Sequence, residues 1–237
     1  MKKAKFSGWL RDSLFFVSRG PWVWAGYTLF TGVILVLGRV SLALGIFLSV
    51  TSLFVGIGVA KYIDLKYSKE NPVGFFWAVN KSLPLAVLAA SSIVVFWFVF
   101  MLVANLFTGE FYKIGQFFFF WELTPENLNH RSTREIADWI YSYANVTLIF
   151  TLLMLTTFAS WFSYPLMLFK DYSWSQAKVD GNYAVSRNQN AMYKMLGFIF
   201  AEAILCTTVT PLLTPVLYML TSTMMYVSYK RIFEALK

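Results

Sequence analysis

Six predominantly apolar stretches, each near the length that crosses a bilayer, constrain this chain more than anything else in it. They are approximately Pro21 to Gly38, Ser41 to Ala60, Pro84 to Phe107, Asn145 to Phe169, Lys194 to Thr210 and Pro211 to Tyr229. A helix needs about 20 apolar residues to cover a hydrocarbon core of about 30 Å. With 58% hydrophobic and 14% charged residues, the 237-residue chain has more apolar surface than one water-soluble core can hide. In lipid every backbone N–H and C=O must find a partner within the protein. The expected fold is therefore all-α: a polytopic membrane helix bundle of about six transmembrane helices, in a single membrane domain.

Charge sets the expected orientation. With both termini in the cytoplasm, sixteen of the twenty lysines and arginines lie inside, and only Arg39, Lys113, Arg131 and Arg134 lie outside. The opposite topology inverts that asymmetry against the positive-inside rule. Lys2, Lys3 and Lys5 have the charge of a signal n-region, but Arg11, Asp12 and Arg19 interrupt its apolar continuation, so no cleaved signal peptide is expected. The net charge of +8 sits at span ends, which points to anionic lipid headgroups. Nucleic acid is not an expected partner, because the bases form no long basic helix and match no binding motif.

A short pattern occurs three times: Phe15-Phe16-Val17-Ser18-Arg19, Trp77-Ala78-Val79-Asn80-Lys81 and Tyr183-Ala184-Val185-Ser186-Arg187. Each copy precedes Pro21, Pro84 or Asn190 and then a span, which suggests one unit used three times. The units are 1–60, 61–170 and 171–237. Each would begin with a cytoplasmic interfacial helix whose aromatic lies at headgroup depth and whose base, Arg19, Lys81 or Arg187, reaches the phosphates. The second span carries Ser41, Gly45, Ser49, Ser52, Gly56 and Ala60 at steps of three and four. Such a stripe permits close helix approach, within the chain or across a homo-oligomer.

The second unit contains an outer insert, 108–144. Gly115 to Trp121 is too short to cross and too aromatic for water, so it is expected in the outer interface. Thr124-Pro125-Glu126 looks like a helix start, and Ser132-Thr133-Arg134-Glu135 like a capping box followed by Ile136, Trp139, Ile140 and Tyr143 at helical spacing. Two short amphipathic helices are expected. They either plug the outer end of the bundle, form a lid over a lipid-facing groove, or present Phe117, Phe118, Phe120, Trp121, Ile136, Trp139 and Tyr143 to a membrane-protein partner. His130, the sole histidine, lies in their connecting loop and suits no metal site by itself.

Chemistry is sparse. Glu202 is the acid that falls well inside an expected span, where a charge costs roughly 2.5–3.5 kcal/mol to insert. It is either a structural, hydrogen-bonded side chain or part of a proton or cation path with Thr207, Thr208 and Asn105. The chain has no dinucleotide fingerprint, Walker A loop, His-Glu-x-x-His helix or nucleophile elbow. One histidine and one cysteine, Cys206, supply no haem, zinc or iron–sulfur site, so no cofactor and no enzymatic activity are expected.

Trp161-Phe162-Ser163-Tyr164-Pro165-Leu166-Met167-Leu168-Phe169-Lys170-Asp171, with Ser175-Gln176-Ala177 and Val185-Ser186-Arg187-Asn188, resembles small bacterial inner-membrane proteins of unknown function. Those proteins are distantly similar to the membrane domain of glycerophosphodiester phosphodiesterases. Gly8-Trp9-Leu10-Arg11 and Gly20-Pro21-Trp22 resemble that family's first helix. The resemblance implies a six-span bundle of the bacterial inner membrane and carries no functional residue with it; Asp180-Gly181-Asn182 and the outer insert depart from the pattern. The leading functional expectation is a non-enzymatic inner-membrane subunit or accessory protein that acts by contact with another membrane component. The alternative is a channel or transporter built on Glu202.

Overall fold

The computed structural model describes residues 5–68, 74–119, 124–129 and 131–234, and among these it is helical throughout, without a strand. Helix α1 (Phe6–Arg19) buries Trp9, Ser13 and Phe16 along one face. It ends at Gly20, whose N–H returns to the Val17 carbonyl, and Pro21 opens α2 (Pro21–Leu37) at the position where a missing N–H costs nothing. A tight turn over Gly38–Val40 leads into α3 (Leu42–Ser68), followed by α4 (Phe75–Thr108). The outer insert supplies α5 (Tyr112–Phe119) and α6 (Pro125–Asn129). Then come α7 (Thr133–Phe158), α8 (Ser163–Lys170), α9 (Trp174–Arg187), α10 (Gln189–Thr208) and α11 (Thr214–Tyr229), which ends in a π-helical turn, Lys230–Glu234.

Among the described residues five helices are long and apolar enough to span a membrane: α2 with its following turn, α3, α4, α7 and α10. The expected sixth span, Pro211 to Tyr229, is instead a 3₁₀ turn over Pro211–Leu213 and the sixteen-residue α11. From Leu217 to Tyr229 nearly every α11 side chain is buried, because the helix runs through the centre of the bundle against α1, α2 and α3. The small-residue stripe of α3 lets it do so. A Cβ added at Gly56 would lie 2.5 Å from both Ser222 Oγ and Tyr27 Oη, so only glycine fits where α2, α3 and α11 meet.

Hydroxyl groups tie the helices together. Tyr27 donates to the Ser52 carbonyl (2.7 Å), Tyr143 to that of Leu35 (2.6 Å), Tyr164 to that of Ser82 (3.1 Å) and Tyr218 to that of Ala144 (2.7 Å). Ser222 Oγ donates to the Leu53 carbonyl at 2.7 Å, and Asn145 Nδ2 to Thr214 Oγ1 at 3.1 Å. Where lipid removes the hydrophobic drive between helices, such bonds and close packing hold the bundle.

Three expectations need correction. The fourth span does not run from Asn145 to Phe169: the backbone leaves the helix at Ala159 (φ −121°, ψ −130°), and Ser160 Oγ accepts the Phe162 N–H. Trp161, buried, donates its indole N–H to Ser228 at 3.0 Å, which fixes the break against α11. The second expected amphipathic helix of the insert is not separate. Ser132 and Glu135 form the capping box, but nothing between Ile136 and Asn145 breaks a helix, so α7 continues for 26 residues. Finally, the interfacial helix of the second repeat is fused to its span. Copies one and three end at Gly20 and Asn188, each bonding back to the carbonyl of the repeat's valine, Val17 or Val185. In copy two Ser82 and Leu83 stay helical, and α4 carries Pro84 inside it.

Candidate functional site

The repeat builds the same contact three times. Arg19 lies over the Phe15 ring at 5.2 Å, Lys81 over Trp77 at 5.7 Å and Arg187 over Tyr183 at 5.3 Å. Aromatic and base are four residues apart, hence on one helix face, and each pair is worth about 0.5–1 kcal/mol when exposed. The three bases expected at headgroups are all exposed or half-exposed and differ in surroundings.

Lys81 lines an open cavity that adjoins an apolar slot, the two sharing Leu85 and Met167. The α7 break separates α7 from α8, and a cavity of about 510 Å³ lies between α4, α7 and α8. Phe54 of α3 forms its floor; Leu85, Leu88 and Ile93 line one wall, and Met154, Leu155 and Met167 the other. Polar groups on the walls face away in chemical effect: Ser92 Oγ donates to the Leu88 carbonyl, Thr151 Oγ1 to that of Thr147 and Tyr164 to that of Ser82. Ser163 Oγ reaches the Ala177 carbonyl at 3.5 Å, so apart from the Trp174 indole the slot offers a ligand mainly hydrocarbon. Stacked Phe96 and Phe158 rings, 5.2 Å apart, bridge α4 and α7 at one end. At the other end Leu85 and Met167 also line a second, open cavity of about 340 Å³, together with Lys81, Asp171 and Tyr172. Among the described residues Asp171 is the non-glycine residue with positive φ (52°), ending α8 in the left-handed conformation.

A second polar centre joins the chain's terminal helices. Asp64, at the end of α3 and 8% exposed in its side chain, accepts from Lys230 Nζ at 2.6 Å on both oxygens and from the Tyr226 hydroxyl at 2.6 Å. Around it Lys61 pairs with Glu234 (3.2 Å) and Arg231 with Asp12 (2.6 Å). Asp12, Asp64, Lys230, Arg231 and Glu234, with Phe15, Phe16 and Arg19, line a cavity of about 400 Å³. The charges balance, Arg19, Lys230 and Arg231 against Asp12, Asp64 and Glu234.

The polar set expected within the membrane is divided between two helices. Glu202, half-buried, lies on α10 with Thr207 and Thr208, whose hydroxyls return to the Ala203 and Ile204 carbonyls of the same helix. Asn105 lies on α4 and donates to its own Met101 carbonyl. α4 packs on α3, α5 and α8, whereas α10 packs on α1, α7, α9 and α11.

The expected partner surface divides as well. Phe120, Trp121 and His130 lie outside the described residues. Phe117 is buried against Phe98 (5.5 Å), which corrects its expected exposure, while Phe118 and Phe119 remain exposed. Trp139 and Tyr143 lie under the Arg39 guanidinium at 4.8 and 5.0 Å, and Arg39 also donates to the Trp139 carbonyl. Those two rings hold α7 to the α2–α3 turn; Ile136 is half-buried beside them. At the start of α5 the Glu110 carboxylate, 2.6 Å from Lys113, holds that ammonium above the ordinary lysine range.

Compared with protein-family models, curated proteins and solved structures, the chain matches none of them, so its function is argued from its own residues.

Proposed function

We propose that this is a non-enzymatic, multi-pass membrane protein that acts by lateral contact with another membrane component. The supporting observation is α4 with α5. Helix α4 packs along its length mainly on α3, and only 17% of its most apolar window is buried. It ends in an aromatic edge of Phe107, Phe111, Tyr112 and Phe119, all more than half exposed. In this reading α11 makes a sixth pass and both termini are cytoplasmic; the bacterial inner membrane is the location the family resemblance implies.

A photo-reactive phenylalanine analogue at Phe107 or Phe119 tests this in native membranes, with the exposed Tyr193 of α10 as control. One discrete protein adduct from the first two positions and not from the third is expected. Lipid adducts alone at all three would sink the proposal. The alternative, transport, rests on the half-buried Glu202 of an α10 long enough to span. It requires pH-dependent flux into liposomes that Glu202→Gln abolishes.

A further inference from the structure

We infer that the slot between α4, α7 and α8 holds one acyl chain of a phospholipid whose headgroup carries a primary ammonium, with the phosphate on Lys81 and the ammonium on Asp171. The inference rests on the membrane reading above and names one component that the α4 side contacts.

Length is the first argument. The slot follows α4 from Leu85 to Phe96, eleven residue steps, or about 16 Å at 1.5 Å per residue. That is about half of a hydrocarbon core of about 30 Å, the depth of one leaflet. Its volume, about 510 Å³, lies within the range of about 300–1,000 Å³ typical of small-molecule sites. Exposed Leu88, Phe96 and Phe158 line it, so it is accessible from the membrane-facing side rather than sealed in the core.

Charge is the second argument. One helical turn before Leu85, Lys81 enters the wall of the adjoining cavity, and Asp171 enters it from the end of α8. Among the described residues neither makes an ion pair, although every other cavity carboxylate near this end of the bundle does: Asp12, Asp64 and Glu234 are all paired. Lys61, the neighbouring ammonium, is held by Glu234 at 3.2 Å, whereas Lys81 has the Trp77 ring at 5.7 Å and lines the open cavity. The mouth thus offers one cation and one anion more than 4 Å apart, facing the same space. A zwitterionic headgroup complements that pair, phosphate to ammonium and ammonium to carboxylate. An anionic glycerol headgroup offers Asp171 only neutral hydroxyl donors and brings no cation to it, and a quaternary ammonium cannot donate a hydrogen bond, so neither makes the charge-assisted bond that a primary ammonium makes.

The test is native mass spectrometry of the full chain released from bilayers of equimolar phosphatidylethanolamine, phosphatidylglycerol and phosphatidylcholine. One retained phosphatidylethanolamine is expected. An exposed ion pair contributes about two- to fivefold, which sets the expected preference over the other two lipids. Asp171→Asn should remove the preference while leaving the backbone intact, since asparagine tolerates the left-handed conformation at that position. Lys81→Gln should lower retention of all three, and Leu88→Trp, on an exposed position, should block the slot. Equal retention of the three lipids, or an unchanged preference in Asp171→Asn, overturns the inference. Persistence of the Phe107 and Phe119 protein adducts in that event leaves the contact reading standing; their loss with phosphatidylethanolamine still retained removes the contact reading alone.

Discussion

Asp64 is the side chain on which the terminal end of the bundle depends. Its carboxylate is almost enclosed and receives Lys230 and Tyr226, each at 2.6 Å. Removing the cation leaves a buried charge with one hydroxyl for compensation, whereas neutralising the acid leaves a lysine that water can reach, since Lys230 is 42% exposed. Lys230→Met is therefore expected to lower stability by about 1.5–3 kcal/mol, and Asp64→Asn by less. Melting temperatures in one detergent check the order, and the double variant should recover part of the loss. The residue was legible, though the reading above did not use it. Asp64 continues the stripe Ser52, Gly56 and Ala60 by one more step of four, so its burial follows from the spacing that announced the stripe's. Lysines at 61 and 66 hide that signal by making the segment look solvated. Lys81 and Asp171 are a different case: 90 residues apart in sequence, they meet one cavity only because α7 breaks.

Helix pairs are joined by tyrosine hydroxyls reaching foreign carbonyls, and each bond is a separate test. Tyr27→Phe, Tyr143→Phe, Tyr164→Phe and Tyr218→Phe keep the ring and remove one interhelical bond; polar contacts of this kind average about 0.6 kcal/mol in membrane bundles. Small, similar losses in thermal stability are expected. Gly56→Val should cost more, about 1–3 kcal/mol by overpacking between α2, α3 and α11, while Gly197→Ala, with nothing near its Cβ, should be silent. Most of these elements could be read from hydrophobic length and from Pro21, Pro125 and the Ser132 cap. The breaks could not. A Ser160-Trp161 step carries no helix breaker, and the helix is interrupted where Ser228 of a distant helix accepts the Trp161 indole N–H. Conversely Pro84, a strong breaker by itself, stays within α4, where α3 packs along the helix and outweighs the lost bond.

On the scale of the whole molecule, the ion pair between Asp12 of α1 and Arg231 beyond α11 places the two terminal helices at one end. With Cys206 replaced by serine, Lys5→Cys and Glu234→Cys should react with an impermeant maleimide from the same side and Lys113→Cys from the other. Labelling of the first two from opposite sides would overturn the arrangement. The charge asymmetry of the sequence leads to an expectation of both termini on one side, and the last helix is expected there as one span among equals. It is the one enclosed by the rest, nearly all buried from Leu217 to Tyr229 and touching α1, α2, α3 and α7. All four precede it in the chain, so during synthesis they wait around an unfilled axis until it is delivered. Ending translation after Thr208 should leave five inserted helices with no centre, and a pulse-chase should find them cleared by proteolysis far faster than the chain that carries its own late-arriving keystone.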